Sequence, residues 1–315
     1  MKPAMKIKLP LMPGAGRPNT RRRIKQPLRA LLAGAALVLG SSPAYPQAES
    51  EIFLAPLSRG ETGWTLGTAR NISQNPGYDN QPAFYSAGLL LYSGTREGQT
   101  DIASYDLQQA TRQWVSDTPG GGEYSPLKIP GRAAVSAIRL DTSGLQRLYA
   151  YPMGAGETEM LLEGLKVGYH AWFGPDLLVC TVLVEDRMDL VVASLPDNSR
   201  YTYQKGVGRS LHKIPDTQRI SYTTVMADLQ GIKWMDPLSG ATGEIAPLPD
   251  GVQDYCWLPD GSLICGSGNR ILRLQPGPGA RWQTLWESDD AAVGTITRLA
   301  VSPDSRHVAF AAHPE

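Results

Sequence analysis

From about residue 51 onward, apolar positions fall into short runs of strand length, alternating with polar positions or running apolar throughout. PAFYSAGLLLYS (82–93), HAWFGPDLLVCTVL (170–183) and YCWLPDGSLICGS (255–267) each hold two such runs about a tight turn. Apolar spacing of helical period is absent over any long stretch, so the pattern predicts an all-β chain.

The turns recur. WFGPD (172–176), HKIPD (212–216), CWLPD (256–260) and AVSPD (300–304) place Pro-Asp between two runs, with prolines at 175, 215, 259 and 303. Pro130 of KIPG and Ala87 of YSAG extend the same period of about forty-four upstream. Proline sets φ for the first turn position, and Asp or Gly supplies side-chain hydrogen bonding or positive φ, so each site reads as a hairpin. A third run follows in most units, as in TDIASYDL (100–107), QRLYAYPM (146–153) and MDLVVASL (188–195), and then a fourth, as in RQWVSD (112–117) and RYTYQKG (200–206). Four antiparallel strands every 40 to 45 residues are the mark of a β-propeller blade.

The sixth unit stops after two strands, in AVSPDSRHVAFAAHPE (300–315), while EIFLAPL (51–57) and GWTLGTARNIS (63–73) read as strands three and four. Glu51-Ile52 falls where Asp101-Ile102 and Asp189-Leu190 fall in complete units. The two ends are therefore expected to form one blade, closing a six-bladed ring and hiding both sheet edges. An open sandwich would not explain the complementary missing halves.

One unit, DNQPAFYSAGLLLYSGTREGQTDIASYDL (79–107), resembles the repeat of TolB-like propellers through Asp79, Pro82, Phe84, Ser93, Arg96, Gly98, Asp101 and Ile102. Later units are degenerate: the second has Glu123 and Pro126 with an offset strand, and the fifth holds GSGNRIL in place of the Arg-Gly-Asp-Ile part. The resemblance implies a secreted or periplasmic six-bladed propeller serving as an interaction platform. TolB itself carries an additional N-terminal α/β domain, expected to be missing here because few residues separate the leader from the first strand. Some TolB-like propellers act on carbohydrate, so a small hydrolase or lyase with a site at the channel mouth is the alternative.

Residues 1–48 read as a signal peptide. RRRIKQPLR (21–29) precedes ALLAGAALVLG (30–40), an apolar run too short to cross a bilayer, and cleavage would follow Ala44 or Ala48. The remaining 49–315 form a single domain. The first 48 residues hold nine Lys or Arg and no Asp or Glu, so 30 − 9 = 21 basic residues face 30 acidic ones in the rest, a net of −9. No basic cluster offers a phosphate-binding face, so a nucleic-acid partner is not expected. A protein or peptide of the cell envelope is the expected partner, with the chain a monomer, periplasmic or secreted.

Cys256 and Cys265 flank the turn LPDG. A two-residue Asp-Gly loop would set them opposite each other for a disulfide, whereas a three-residue loop with a bulge would set Cys256 against Ile264 and leave both thiols free. The histidines, His170, His212, His307 and His313, read as strand or loop residues at a rim. Ligand spacings such as His-x-His or Cys-x-x-Cys are absent, and no metal or cofactor is expected. Trp114, Trp172, Trp234 and Trp282 fall in predicted strands and are expected to pack between blades.

Candidate binding residues come from the position just before each first strand, which a propeller crowds at one channel mouth. They are Tyr78 and Asp79, Glu123 and Tyr124, Tyr169 and His170, Asp254 and Tyr255, and Arg298, with Arg209, Ser210 and Thr297 completing the ring. The mixture of aromatic and acidic groups suits a sugar, a peptide or a cation, although an Asp or Glu before a strand also serves to cap a turn.

Overall fold

The computed structural model describes residues 48–226 and 229–314. The signal segment expected over 1–48 lies, apart from Ala48, outside the described residues. Among the described residues every regular element is a β-strand, and the strands form six antiparallel sheets.

Blade 1 runs Asn80–Ser86, Leu89–Arg96, Gln99–Asp106 and Thr111–Trp114 from the inside outward. Blades 2 to 5 repeat this order, starting at Gly121–Lys128, Val167–Trp172, Val207–Lys213 and Cys256–Trp257. Blade 6 takes its two inner strands, Thr295–Val301 and His307–His313, from the end of the chain and its outer strands, Glu51–Gly60 and Gly63–Leu66, from the beginning. Glu51 pairs Ala312 and Pro56 pairs His307, so the seam is a continuous antiparallel ladder. The propeller and its mode of closure are those expected from the repeat.

The reason for the near-continuous apolar runs is visible in the packing. Six apolar clusters each lie between two neighbouring blades, and a strand feeds both of its faces. In Glu51–Gly60, Phe53 and Ala55 enter the cluster shared with blade 5, while Ile52 and Leu54 enter the one shared with blade 1. In the paired strand Val308, Phe310 and Ala312 go one way, Ala309 and Ala311 the other. Side chains alternate across a strand, so a strand buried on both faces must be apolar at both parities.

Polar stitches join the same blades. The indole N–H of Trp172 donates to Ser136 of blade 2 at 2.9 Å, and that of Trp257 to Ser221 of blade 4 at 2.8 Å. Trp64 donates to Asp260 at 2.7 Å across the seam of blades 5 and 6. Trp282, expected within a strand, falls just before Gln283–Glu287 and bonds the Pro247 carbonyl at 2.9 Å. The LPDG turn takes the bulged form: Cys256 pairs Ile264, and Cys180, Cys256 and Cys265 are all free and buried.

The innermost strands of five blades are irregular near their starts, which re-aims the side chains there. Register shifts interrupt the first pairing of blades 1, 2, 3, 4 and 6, and Gln81 and Ser125 occupy equivalent positive-φ positions. A threonine of the second strand holds the displaced backbone, with Thr95, Thr181 and Thr223 accepting the amides of Tyr78, Tyr169 and Ser210. Gly77 makes room for the first of these: at φ +117°, an added Cβ would lie 2.7 Å from Thr95 Oγ1.

Candidate functional site

The channel mouth is a cavity of about 110 Å³, lined by residues in or just before the first strands of all six blades. It brings together Tyr169, His170, Asp254, Tyr255 and Arg298 of the expected ring, with Arg209 and His212. Tyr78 and Tyr124 adjoin this group, their rings meeting edge to face at 6.3 Å, and the Tyr78 hydroxyl lies in the field of both Arg298 and Arg209.

Arg209 and Arg298 converge on one carboxylate. Arg209 Nε donates to Asp254 Oδ2 at 2.9 Å and its Nη2 bonds the same oxygen. Arg298 Nη1 lies 2.9 Å from Asp254 Oδ1, an ion-pair distance without a directed hydrogen bond. The side chain of Asp254 is 4% exposed and those of Arg209 and Arg298 are 22% and 17% exposed. Burial opposes the charge on Arg209, and the Asp254 carboxylate beside it outweighs that cost, raising its pKa above the ordinary value. The Arg298 guanidinium stacks 5.0 Å above the Tyr169 ring.

Asp79 and Glu123 go elsewhere. Both are fully buried, facing the joints between blades. Asp79 Oδ1 accepts from Asn75 Nδ2 at 3.0 Å and from the Thr95 amide at 2.9 Å, while its Oδ2 has no partner. Burial pushes the Asp79 carboxyl up to about 6. Glu123 accepts from the Tyr151 hydroxyl at 3.0 Å, and burial raises its pKa as well. Their geometry is that of structural carboxylates at the blade joints.

His170 and His212 sit within innermost strands and line the channel mouth. His170 Nε2 is 2.7 Å from Ser136 Oγ, the contact among the described residues that most resembles a nucleophile and its base. Ser136 is fully buried and its oxygen also accepts the Trp172 indole N–H. His170 Nδ1 has no partner, so no carboxylate orients the ring, and burial pushes the imidazole down to about 3. His212 lies 3.1 Å from Ser210 Oγ and against the Tyr255 ring at 4.9 Å, and burial lowers it to about 4. The sequence carried no signal for Ser136, which lies in a second strand and meets His170 only across a blade joint.

Among the described residues, no three His, Cys, Asp or Glu side chains gather as metal ligands. No described helix is long and apolar enough to cross a membrane.

No family model matches the sequence, and no curated protein does. The likeness to solved structures is one of fold. The inferred TolB of Agrobacterium tumefaciens superposes with a TM-score of 0.67 at 15% identity, over 85% of this chain and 99% of that one. TolB from Acinetobacter baumannii gives 0.53 at 11% identity, over 83% of this chain and 64% of that one. Oligogalacturonate lyase from Vibrio parahaemolyticus gives 0.52 at 11% identity, over 85% and 99%. The chain has the TolB-like six-bladed propeller fold. Because the same fold carries a lyase, function has to be argued from the site.

Proposed function

We propose that this chain is an exported, non-catalytic propeller of the cell envelope that binds a protein or peptide at its channel mouth. The observation that carries the reading is the state of the groups which catalysis would need. Among the described residues, the closest serine–histidine contact has its serine fully buried at a blade joint and its imidazole held neutral, and the one carboxylate lining the mouth is engaged by two guanidiniums. A general base needs a pKa near the working pH and access to the proton it removes. Fixed charges and aromatic faces ready-made around a cavity serve recognition instead, since little has to be ordered on binding.

The alternative, a hydrolase or lyase acting on carbohydrate, draws on the likeness to oligogalacturonate lyase. A photocrosslinking residue in place of Tyr78, compared with one in place of the exposed Leu238, tests the two. Exposure to a defined pool of short peptides should label the Tyr78 position and spare Leu238, with no product released from oligogalacturonate. Release of product in proportion to protein, lost in Arg209→Gln, would overturn the proposal.

A further inference from the structure

We propose that the channel mouth is a carboxylate-binding site in which Arg298, backed by Arg209 and flanked by the hydroxyls of Tyr78 and Tyr169, receives one monoanionic head group. This deepens the binding-module reading and rests on it for the source of the carboxylate, the end or an acidic side chain of a peptide.

The charge count comes first. Among the described residues, Arg209, Asp254 and Arg298 are the only charged ones lining the cavity, so two guanidiniums share one carboxylate and one positive charge is left over. The chain from residue 49 onward, these three included, is acidic by nine charges, from 21 basic and 30 acidic residues. A cation held in the mouth of an acidic protein favours an anion and repels further cations.

The donor count points the same way. A guanidinium offers five N–H donors in a planar fork that matches a carboxylate. Arg209 spends two on Asp254 Oδ2. Arg298 makes no directed hydrogen bond among the described residues, although its side chain is only 17% exposed. Stacking on Tyr169 at 5.0 Å and the approach to Asp254 at 2.9 Å hold it in place with its donors free. Among the described residues neither the Tyr78 nor the Tyr169 hydroxyl makes a hydrogen bond, and the Tyr78 hydroxyl lies in the field of both guanidiniums. A cavity of about 110 Å³ admits several waters, hence a carboxylate head with a short stem in their place.

The test is a titration of the full chain, labelled with ¹⁵N-arginine, reading the Nε–Hε resonances of Arg298 and Arg209. The probes are acetate, N-acetyl-diglycine, its C-terminal amide and galacturonate, at constant ionic strength set with chloride. The Arg298 resonance should move saturably with acetate and N-acetyl-diglycine and stay unmoved by the amide. Arg298→Gln should weaken binding roughly tenfold to a hundredfold, as loss of a charge-assisted hydrogen bond does. Arg298→Lys, which keeps the charge and loses the fork, should fall between. Response to galacturonate with none to N-acetyl-diglycine would uphold the carboxylate site while removing the peptide as its source. Equal shifts with acid and amide, or an Arg298 resonance that no acid moves, would overturn the inference.

Discussion

Ser116 accepts the amide hydrogen of Ile102 at 2.8 Å, and the same hydroxyl lies 3.2 Å from the carboxylates of Asp101 and Glu123. The relationship is repeated at the seam, where Ser73 accepts from Ile52 at 2.8 Å and bonds the Glu51 carboxylate. A serine just past the fourth strand thus ties the start of the third strand to the next blade, whether or not the chain is continuous there. Ser116→Ala would leave a buried amide and two carboxylates short of a partner, a loss of about 1–3 kcal/mol. Denaturant midpoints measure it, with exposed Ser58→Ala expected within about 0.5 kcal/mol of wild type.

The seam is expected to behave as core. Phe53 from the start of the chain and Phe310 from its end stack at 5.5 Å, and Trp286 packs on Phe310 at 5.7 Å. Phe310→Ala should cost about 3–5 kcal/mol, a large part of the stability of an ordinary domain. Val225→Ala, at a side chain 59% exposed, should leave the midpoint within about 0.5 kcal/mol of wild type.

Asp79 sets a pH dependence of unusual sign. Burial raises its folded-state value from 3.8 to about 6, so between those limits the folded chain binds more protons than the unfolded one. Its contribution to stability therefore falls as pH rises through that window and stays lost above it, by about 3 kcal/mol in order of magnitude. Asp79→Asn keeps an acceptor for Asn75 and Thr95 without the charge. The stability of the variant relative to wild type should grow from pH 4 to pH 6.5. A constant difference across that range would contradict the assignment.

His170 and His212 carry the opposite sign. Burial lowers them to about 3 and about 4, so their contribution is present above the unfolded value near 6.5 and is lost as pH falls toward the folded ones. Nitrogen-15 spectra should show both rings neutral at pH 5. A His170 midpoint near 6.5 would show instead a ring free to act as a base.

The ring was legible because its evidence is local and repeated: Pro175, Pro215, Pro259 and Pro303 mark hairpins at one period, and Glu51-Ile52 could be aligned with Asp101-Ile102 by residue type. The site was legible only in part. Tyr78 and Asp79 are neighbours just ahead of the first strand of blade 1, yet the first adjoins the channel and the second is buried at a blade joint. Register shifts at the heads of five of the six first strands decide which member of a pair faces inward, and no pattern of apolar positions records them. Arg209 and Arg298 could be placed in the ring from sequence, but their convergence on Asp254 joins residues 45 and 44 apart on three blades. That depends on the closed geometry of the whole.

Calorimetric titration of the chain with N-acetyl-diglycine and with oligogalacturonate addresses the central claim, that the mouth binds and does not catalyse. Binding gives heat pulses that saturate and return to baseline, whereas turnover shifts the baseline for as long as substrate remains. The predicted record is saturable pulses that are lost in Arg298→Gln. A sustained displacement of the baseline with oligogalacturonate, in proportion to protein concentration, would contradict it.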